Sequence, residues 1–334
     1  MKKMALIIGF FASTLVLLSI FFTQEDVLDT SEKDDRITLD QTLRVGFSRL
    51  RISLPVFVAM EKGLFEKNGL DVQLEMYDTA QPLMQALIEG RVNAAGYTAL
   101  PITFNGMLRS GKELYFLTSM IEDSKHRISY FIKPAGSTLS SIRDLKGKTI
   151  GILPTIAYKG WLEAILRANQ IDPEQDVRIQ QIAPSQQPRS LQTGAIDILF
   201  TNDPAATTAI ELGVGEILDP TVVEVPLYIN DPFLFGSFNV SKEWADSNPE
   251  VFSRIKAALD EAVSYIDEFP EESKLAMVPY LSDTFAKHAV KYPNSRYSLS
   301  QNTREEDFEK TIEFYLEAGI IPKELSVKGL IVNE

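Results

Sequence analysis

Leu87-Ile88-Glu89-Gly90-Arg91-Val92-Asn93 returns later in the chain as Leu191-Gln192-Thr193-Gly194-Ala195-Ile196-Asp197. In each copy an apolar helix end meets a glycine and then an apolar residue that opens a strand. Glycine suits the left-handed turn that ends a helix. Upstream of the first copy, Gln81 to Glu89 carries Leu83, Ala86 and Leu87 at helical spacing. Downstream, Val92 to Gly96 reads as a strand ending at Tyr97 and Thr98. Farther back, Asp71 to Tyr77 alternates, with Val72, Leu74 and Met76 on one face and Gln73 and Glu75 on the other. Leu43 to Phe47 is an apolar strand. Ser53 caps the helix that follows, with Pro55 in its first turn, Phe57, Val58 and Met60 inside, and Gly63 as its stop.

The second copy has the same surroundings. Thr149-Ile150-Gly151-Ile152 matches Arg44-Val45-Gly46-Phe47 in character. A helix over Tyr158 to Ala168, a strand over Val177 to Ile182 and a short helix over Arg189 to Gln192 follow in order. The chain therefore holds two βαβαβ-type halves. Tyr130 to Lys133 and Leu234 to Val240 are β-like, flank the second half, and read as strands crossing between lobes. The expected architecture is α/β: two doubly wound lobes joined by two crossing strands. Lobe 1 is discontinuous, over 42–130 and 234–334, and lobe 2 covers 131–233. In the C-terminal part, Asn248 caps a helix with Pro249 at its first position and an apolar face from Val251 to Ile266. Thr303 with Glu306 reads as a capping box for a helix bearing Phe308, Ile312, Tyr315 and Leu316.

The 334 residues suit two lobes better than one ordinary core. A net charge of −13 argues against nucleic acid as a partner, because that binding needs a basic surface. With no cysteine, the chain has neither disulfides nor thiolate chemistry nor cysteine metal sites. The only histidines are His126 and His288. No cofactor is expected, and the chain reads as a monomer. Lys2 and Lys3 precede an apolar run from Met4 to Phe22. Residues 1–24 thus read as a signal peptide or a membrane anchor. The absence of a small-x-small cleavage pattern tilts the reading toward an uncleaved anchor. Either way the lysines stay inside and the body of the chain lies outside. Residues 25–41 are polar and acidic and read as a tether.

In doubly wound sheets the ligand crevice lies beyond the carboxyl ends of the strands. Four loops occupy that place. They carry Ser48, Arg49 and Arg51; Tyr97 and Thr98; Thr155, Ile156, Ala157 and Tyr158; and Asn202 with Asp203. Asn230 and Asp231 lie in the connection near the hinge. Hydroxyls at helix starts ordinarily cap helices, but free N–H groups there also favour an acceptor or anion. The arginines offer a bidentate fork, the tyrosines a surface for a planar body, and Asp203 suits a cationic or N–H group.

Three segments resemble one family. Pro55 to Val72 contains the pattern A-x-x-K-G-L-F-x-x-x-G-L-D-V, Leu145 to Gly151 reads L-K-G-K-T-I-G, and Gly194-Ala195-Ile196-Asp197 is similar to G-x-V-D-A. These patterns resemble the nitrate, sulfonate and taurine type of periplasmic substrate-binding protein, a group that includes thiamine-precursor-binding proteins. The resemblance runs from about Leu43 to about Leu281. It implies the type II periplasmic-binding-protein fold, closure of two lobes on a small-molecule ligand, and delivery to an ABC permease with a cytoplasmic ATPase. At matching positions it points to Ser48, Thr98, Thr155 and Asp203. Two departures stand out. Asn93 replaces an aspartate, and Pro154-Thr155-Ile156-Ala157 replaces a Gly-Ser-Thr-type anion loop. The resemblance therefore leaves the ligand open among sulfonate, taurine, nitrate and thiamine-precursor types. Two alternatives also stay open: an enzyme of the pyrimidine-precursor or quinone-biosynthesis type on the same fold, with His126 as its reactive group, and a membrane-anchored sensor.

Overall fold

The computed structural model describes residues 42–332. The expected signal or anchor over 1–24 and the tether over 25–41 lie outside the described residues. Eleven strands form two sheets. They are β1 Leu43–Ser48, β2 Val72–Tyr77, β3 Ala94–Ala99, β4 Leu114–Glu122, β5 Tyr130–Pro134, β6 Thr149–Ile152, β7 Arg178–Gln181, β8 Ile198–Thr201, β9 Gly215–Ile217, β10 Phe233–Ser241 and β11 Arg296–Ser298. One sheet runs β11-β4-β10-β3-β1-β2 and the other β7-β6-β8-β5-β9. Apart from β11, the two orders are the same. In each, three parallel strands are followed by an antiparallel strand and then one more. The antiparallel strand is the first one laid down after the chain changes sheet: β5 after residues 123–129, and β10 after residues 218–232. These are the two strands expected to cross between lobes; each pairs within one sheet, and the crossing itself is made by residues 123–129 and 218–232.

The repeated motif has a structural job that is identical in both copies. Gly90 and Gly194 sit at φ 74° and 70°, where a side chain would be strained. The chain then turns so that the Asn93 side-chain Oδ1 accepts from the Arg44 N–H at 2.9 Å, and Asp197 Oδ2 accepts from the Thr149 N–H at 2.7 Å. In return the Asn93 N–H donates to Arg44 O and the Asp197 N–H to Thr149 O, each at 2.9 Å. The amide at 93 thus fills the structural role of the aspartate it replaces, and the substitution says nothing about ligand.

A single apolar core runs through both sheets, and a smaller cluster around Tyr130, Ile132, Leu191 and Leu199 covers one face of the second. The C-terminal helix Glu305–Glu317 packs on the helix Ile156–Ala168 that follows β6. Trp161 Nε1 donates to the Tyr315 hydroxyl at 3.1 Å, and a Cβ on Gly160 would stand 2.8 Å from Ile320. Trp161 also meets Phe233 and Phe235 of β10 edge-on or tilted, at 5.2 and 4.9 Å. These contacts tie the second sheet to the end of the chain.

Several local expectations fail for stated reasons. Ser53 precedes the helix Leu54–Glu61 but caps nothing: its hydroxyl donates to Gly96 O at 2.9 Å, because a carbonyl of β3 is nearer than the helix N–H groups. Thr303 forms no capping box, since its hydroxyl donates to Leu117 O on β4, and Arg304 takes the N-cap position. Asn248 turns its amide back to Trp244 O instead of capping. Met76 is 45% exposed, so the alternating face of β2 buries only Val72 and Leu74, in part, against the core.

β10 packs closely enough between β3 and β4 to require a glycine. A Cβ on Gly236 would stand 2.5 Å from Thr98 O, a backbone atom that cannot step aside. Gly236→Ala is expected to lower stability by about 1–3 kcal/mol, read as a lower urea midpoint with an unchanged slope.

Candidate functional site

The carboxyl ends of β1 and β8 face each other across the seam between the sheets. A 3-10 turn, Arg51–Ser53, follows β1, and Arg51 is only 2% exposed. Its Nη1 lies 3.2 Å from Asp203 Oδ2, and its backbone N–H donates to Asp203 O at 3.4 Å. Nη1 also donates to Pro293 O at 2.9 Å and Nη2 to Arg127 O at 2.7 Å. Asp203 is fully buried, and its Oδ1 accepts from the Thr207 N–H at 3.0 Å. Tyr297 fixes the turn by donating to Arg51 O at 2.9 Å. One guanidinium therefore joins the turn after β1, the loop after β8, the first connection and a C-terminal segment.

Both connections between the sheets bring further charges to this seam. Glu122, the last residue of β4, accepts from the N–H groups of Ile128 and Ser129 at 2.9 and 2.7 Å and from the Ser129 hydroxyl at 2.9 Å. Burial pushes its carboxyl up to about 7, against these hydrogen bonds and the charge of Arg51. Arg127 donates Nη2 to the carbonyls of Asp219 and Val222 and lies 5.7 Å over the Tyr130 ring, leaving Nη1 without a partner. Glu224, on the second connection, is 3% exposed, and neither of its oxygens has a partner. Burial pushes it up to about 7, opposed by Arg127. Sequence reasoning missed Glu122, Arg127 and Glu224. Glu122 ends a strand and Arg127 lies in a polar loop, while Glu224 opens the short helix Glu224–Tyr228 inside the apolar run Val222 to Leu227, a signal that could have marked it.

The residues expected from the sequence divide into three groups. Ser48, Arg51, Tyr158, Asn202 and Asp203 are buried at the seam; Ser48 Oγ, Arg51 Nε, the Tyr158 hydroxyl and Asn202 Oδ1 lack hydrogen-bond partners, and Asp203 Oδ2 has only the ion pair with Arg51. Burial raises the Tyr158 hydroxyl well above its ordinary value, and Glu122 adds to the shift. A second group is used by the fold. Thr155 caps the helix Ile156–Ala168, accepting from the Tyr158 N–H at 3.2 Å, and Ala157 is packed inside. Thr98 is paired with Thr103 at 2.6 Å and accepts from Asn239 at 2.9 Å. Tyr97, at φ 66°, turns into the core of the first sheet, where its hydroxyl meets Thr118 and its ring packs edge-on against Phe238 and Tyr297. A third group lies away from the buried cluster. Arg49 and Asp231 are exposed, Asn230 is half-buried, and Ile156 lines a separate cleft with Met84 and Ile102. His126 is held by Asp123, Nδ1 to Oδ1 at 2.9 Å, and Arg296 reaches the other oxygen of that carboxylate at 2.6 Å. Although burial opposes it, Arg296 and the surrounding donors hold Asp123 down to about 2.

Comparison with known proteins gives a consistent result. Residues 39–280 match the model of the NMT1-like family. A Haemophilus influenzae protein named for thiamine biosynthesis is 28% identical over 83% of this chain and 87% of its own length. The nitrate import ATP-binding protein NrtC of Synechocystis is 25% identical over 70% of this chain, which spans only 36% of that longer protein. The crystal structure of the periplasmic aliphatic sulphonate binding protein SsuA from Escherichia coli superposes with a TM-score of 0.69 at 16% identity, covering 87% of this chain and 97% of SsuA. That likeness identifies the fold as the type II periplasmic-binding-protein architecture.

Glu122 makes the seam sensitive to pH. The folded chain keeps the proton that the unfolded chain gives up near pH 4.5, so the stability from protonated Glu122 is complete below that pH and lost as pH rises through about 7. In Glu122→Gln the amide oxygen can still accept from Ile128 and Ser129. This variant is expected to melt with wild type at pH 4 but above it at roughly pH 8, by a few degrees. Thermal melts across that range check the sign.

Proposed function

The chain belongs to the NMT1-like family, and from that premise we propose that it is the extracytoplasmic solute-binding component of an ABC importer. It closes on a small molecule and does not transform it. The lobes are 42–130 with 234–334, and 131–233, and the ligand lies between them against Ser48, Arg51, Tyr158, Asn202 and Asp203. One observation carries this reading: the seam between the sheets buries polar atoms from both sides that no protein group satisfies. A buried polar atom without a partner costs about 1–3 kcal/mol. A set of them gathered in one place marks where a solute supplies the missing partners.

Three further points support this reading. The chain matches part of an import ATP-binding protein, which fits work alongside a permease and an ATPase. The apolar run after Lys2 and Lys3 fits a body outside the cytoplasmic membrane, where such a permease is reached. The reading as a non-enzyme is supported by the likeness to SsuA, a binding protein, and by the absence of cysteine from the chain.

Equilibrium dialysis of the protein against a cell extract, followed by mass spectrometry, is expected to show one small molecule retained. Retention of nothing would overturn the proposal. Asp203→Ala is expected to weaken that binding at least tenfold, about 1.4 kcal/mol. Because this variant also strands Arg51, Asn202→Ala serves as the second test. Its Oδ1 supports nothing in the unliganded fold, so the melting temperature should hold while affinity falls.

A further inference from the structure

We infer that the solute of this seam carries a basic, N–H-bearing nitrogen that meets Glu224, and that a simple oxyanion is not its ligand. The inference rests on the proposed role as a solute-binding protein and narrows it to a chemical class.

The argument is a balance of donors and acceptors. Among the described residues, both oxygens of Glu224 are buried without a partner, and Asp203 Oδ2 has only its ion pair with Arg51 Nη1 at 3.2 Å; when ionised, all three only accept. Two only donate: Arg51 Nε and Arg127 Nη1. The hydroxyls of Ser48 and Tyr158 serve either way, and the amide of Asn202 can turn to do so. The arginines are already largely engaged. Arg51 faces the Asp203 carboxylate at 3.2 Å and two carbonyls, and Arg127 gives Nη2 to two carbonyls. Asp203 is in effect an internal anion occupying the position a bound oxyanion would need on Arg51.

Glu224 is in the opposite position. It is buried, and among the described residues no lysine, arginine or histidine lies within ion-pair distance. Burial pushes its carboxyl up to about 7, and Arg127, outside ion-pair distance, only partly opposes the shift. Burying a carboxylate is costly unless it is paired and hydrogen-bonded. Nitrate or a simple sulfonate brings acceptors only. It would satisfy two arginine N–H groups while adding negative charge beside Glu224, Glu122 and Asp203. A protonated nitrogen supplies the N–H donors these oxygens lack, and an acceptor elsewhere on the same molecule can reach Arg127 Nη1.

The test uses the full-length protein. A small-molecule cell extract is split on a strong cation exchanger at acidic pH into a retained pool, whose members carry basic nitrogen, and an unretained pool. Each pool, and sodium nitrate and sodium ethanesulfonate singly, is added to the protein and the melting temperature read. The retained pool is expected to raise it by several degrees, with the unretained pool and both salts leaving it within about one degree. Glu224→Gln should melt at or above wild type without additions and need at least tenfold more of the retained pool for the same shift. A response to the unretained pool or either salt, with the retained pool silent, would overturn the inference and leave the solute-binding reading standing. So would an undiminished response by Glu224→Gln. Silence of wild type with both pools would overturn the solute-binding reading itself, and this inference with it.

Discussion

A buried ion pair across a seam is stabilising only when its remaining hydrogen-bonding capacity is also met. The pair formed by Arg51 and Asp203 comes close to that condition. The guanidinium donates to Pro293 O and Arg127 O, the carboxylate accepts from Thr207, and only Arg51 Nε and one lobe of Asp203 Oδ2 stay open. Most of the site geometry follows from this contact. It brings the turn after β1 onto the loop after β8 and fixes the carbonyl end of the first connection. It also places Glu122, itself bound to the start of β5, within reach of the Arg51 charge. Without it the two sheets would still be tied by Trp161 and Tyr315 on another part of the seam, and the polar atoms of Ser48 and Asn202 would open to water.

The two connections between the sheets bring charged side chains into the seam. Hinge residues are a few positions between elements that absorb backbone change. In the proposed role those positions would fall in residues 123–129 and 218–232, which contribute Arg127 and Glu224, with Glu122 at the end of β4 just before the first. A solute that engages Glu224 or Arg127 would therefore act on the segments whose backbone must move for the sheets to separate.

Internal symmetry accounts for the architecture and also for what differs between the halves. Asn93 and Asp197 perform one structural task, so their difference in charge has no bearing on ligand. The loops after β1 and β6 differ in substance. The first carries Arg51 into the seam. The second begins a helix whose Thr155 is consumed as a cap and whose Tyr158 supplies a buried hydroxyl with no partner. The two halves share one strand order, and they differ at the loop ends that meet across the seam.

The duplicated motif, the glycine stops and the strand patterns were legible in the chain because they are local. Period, turn conformation and helix termination depend on neighbours a few residues apart. The same locality made Ser48, Arg51, Tyr158, Asn202 and Asp203 visible as loop residues at strand ends. Tertiary structure alone decided which of these loop residues face the seam. Tyr97 and Thr98 turned into the first sheet because Thr118, Thr103 and Asn239 came from distant segments to receive them. Arg49 stayed in solvent while Arg51, two residues on, met Asp203 from the other half of the molecule. Glu122 gave no local sign, and Glu224 gave only its place inside the apolar run Val222 to Leu227. Whether a carboxylate is buried, and what it meets there, depends on chain brought in from far away, and no pattern along a single segment encodes that.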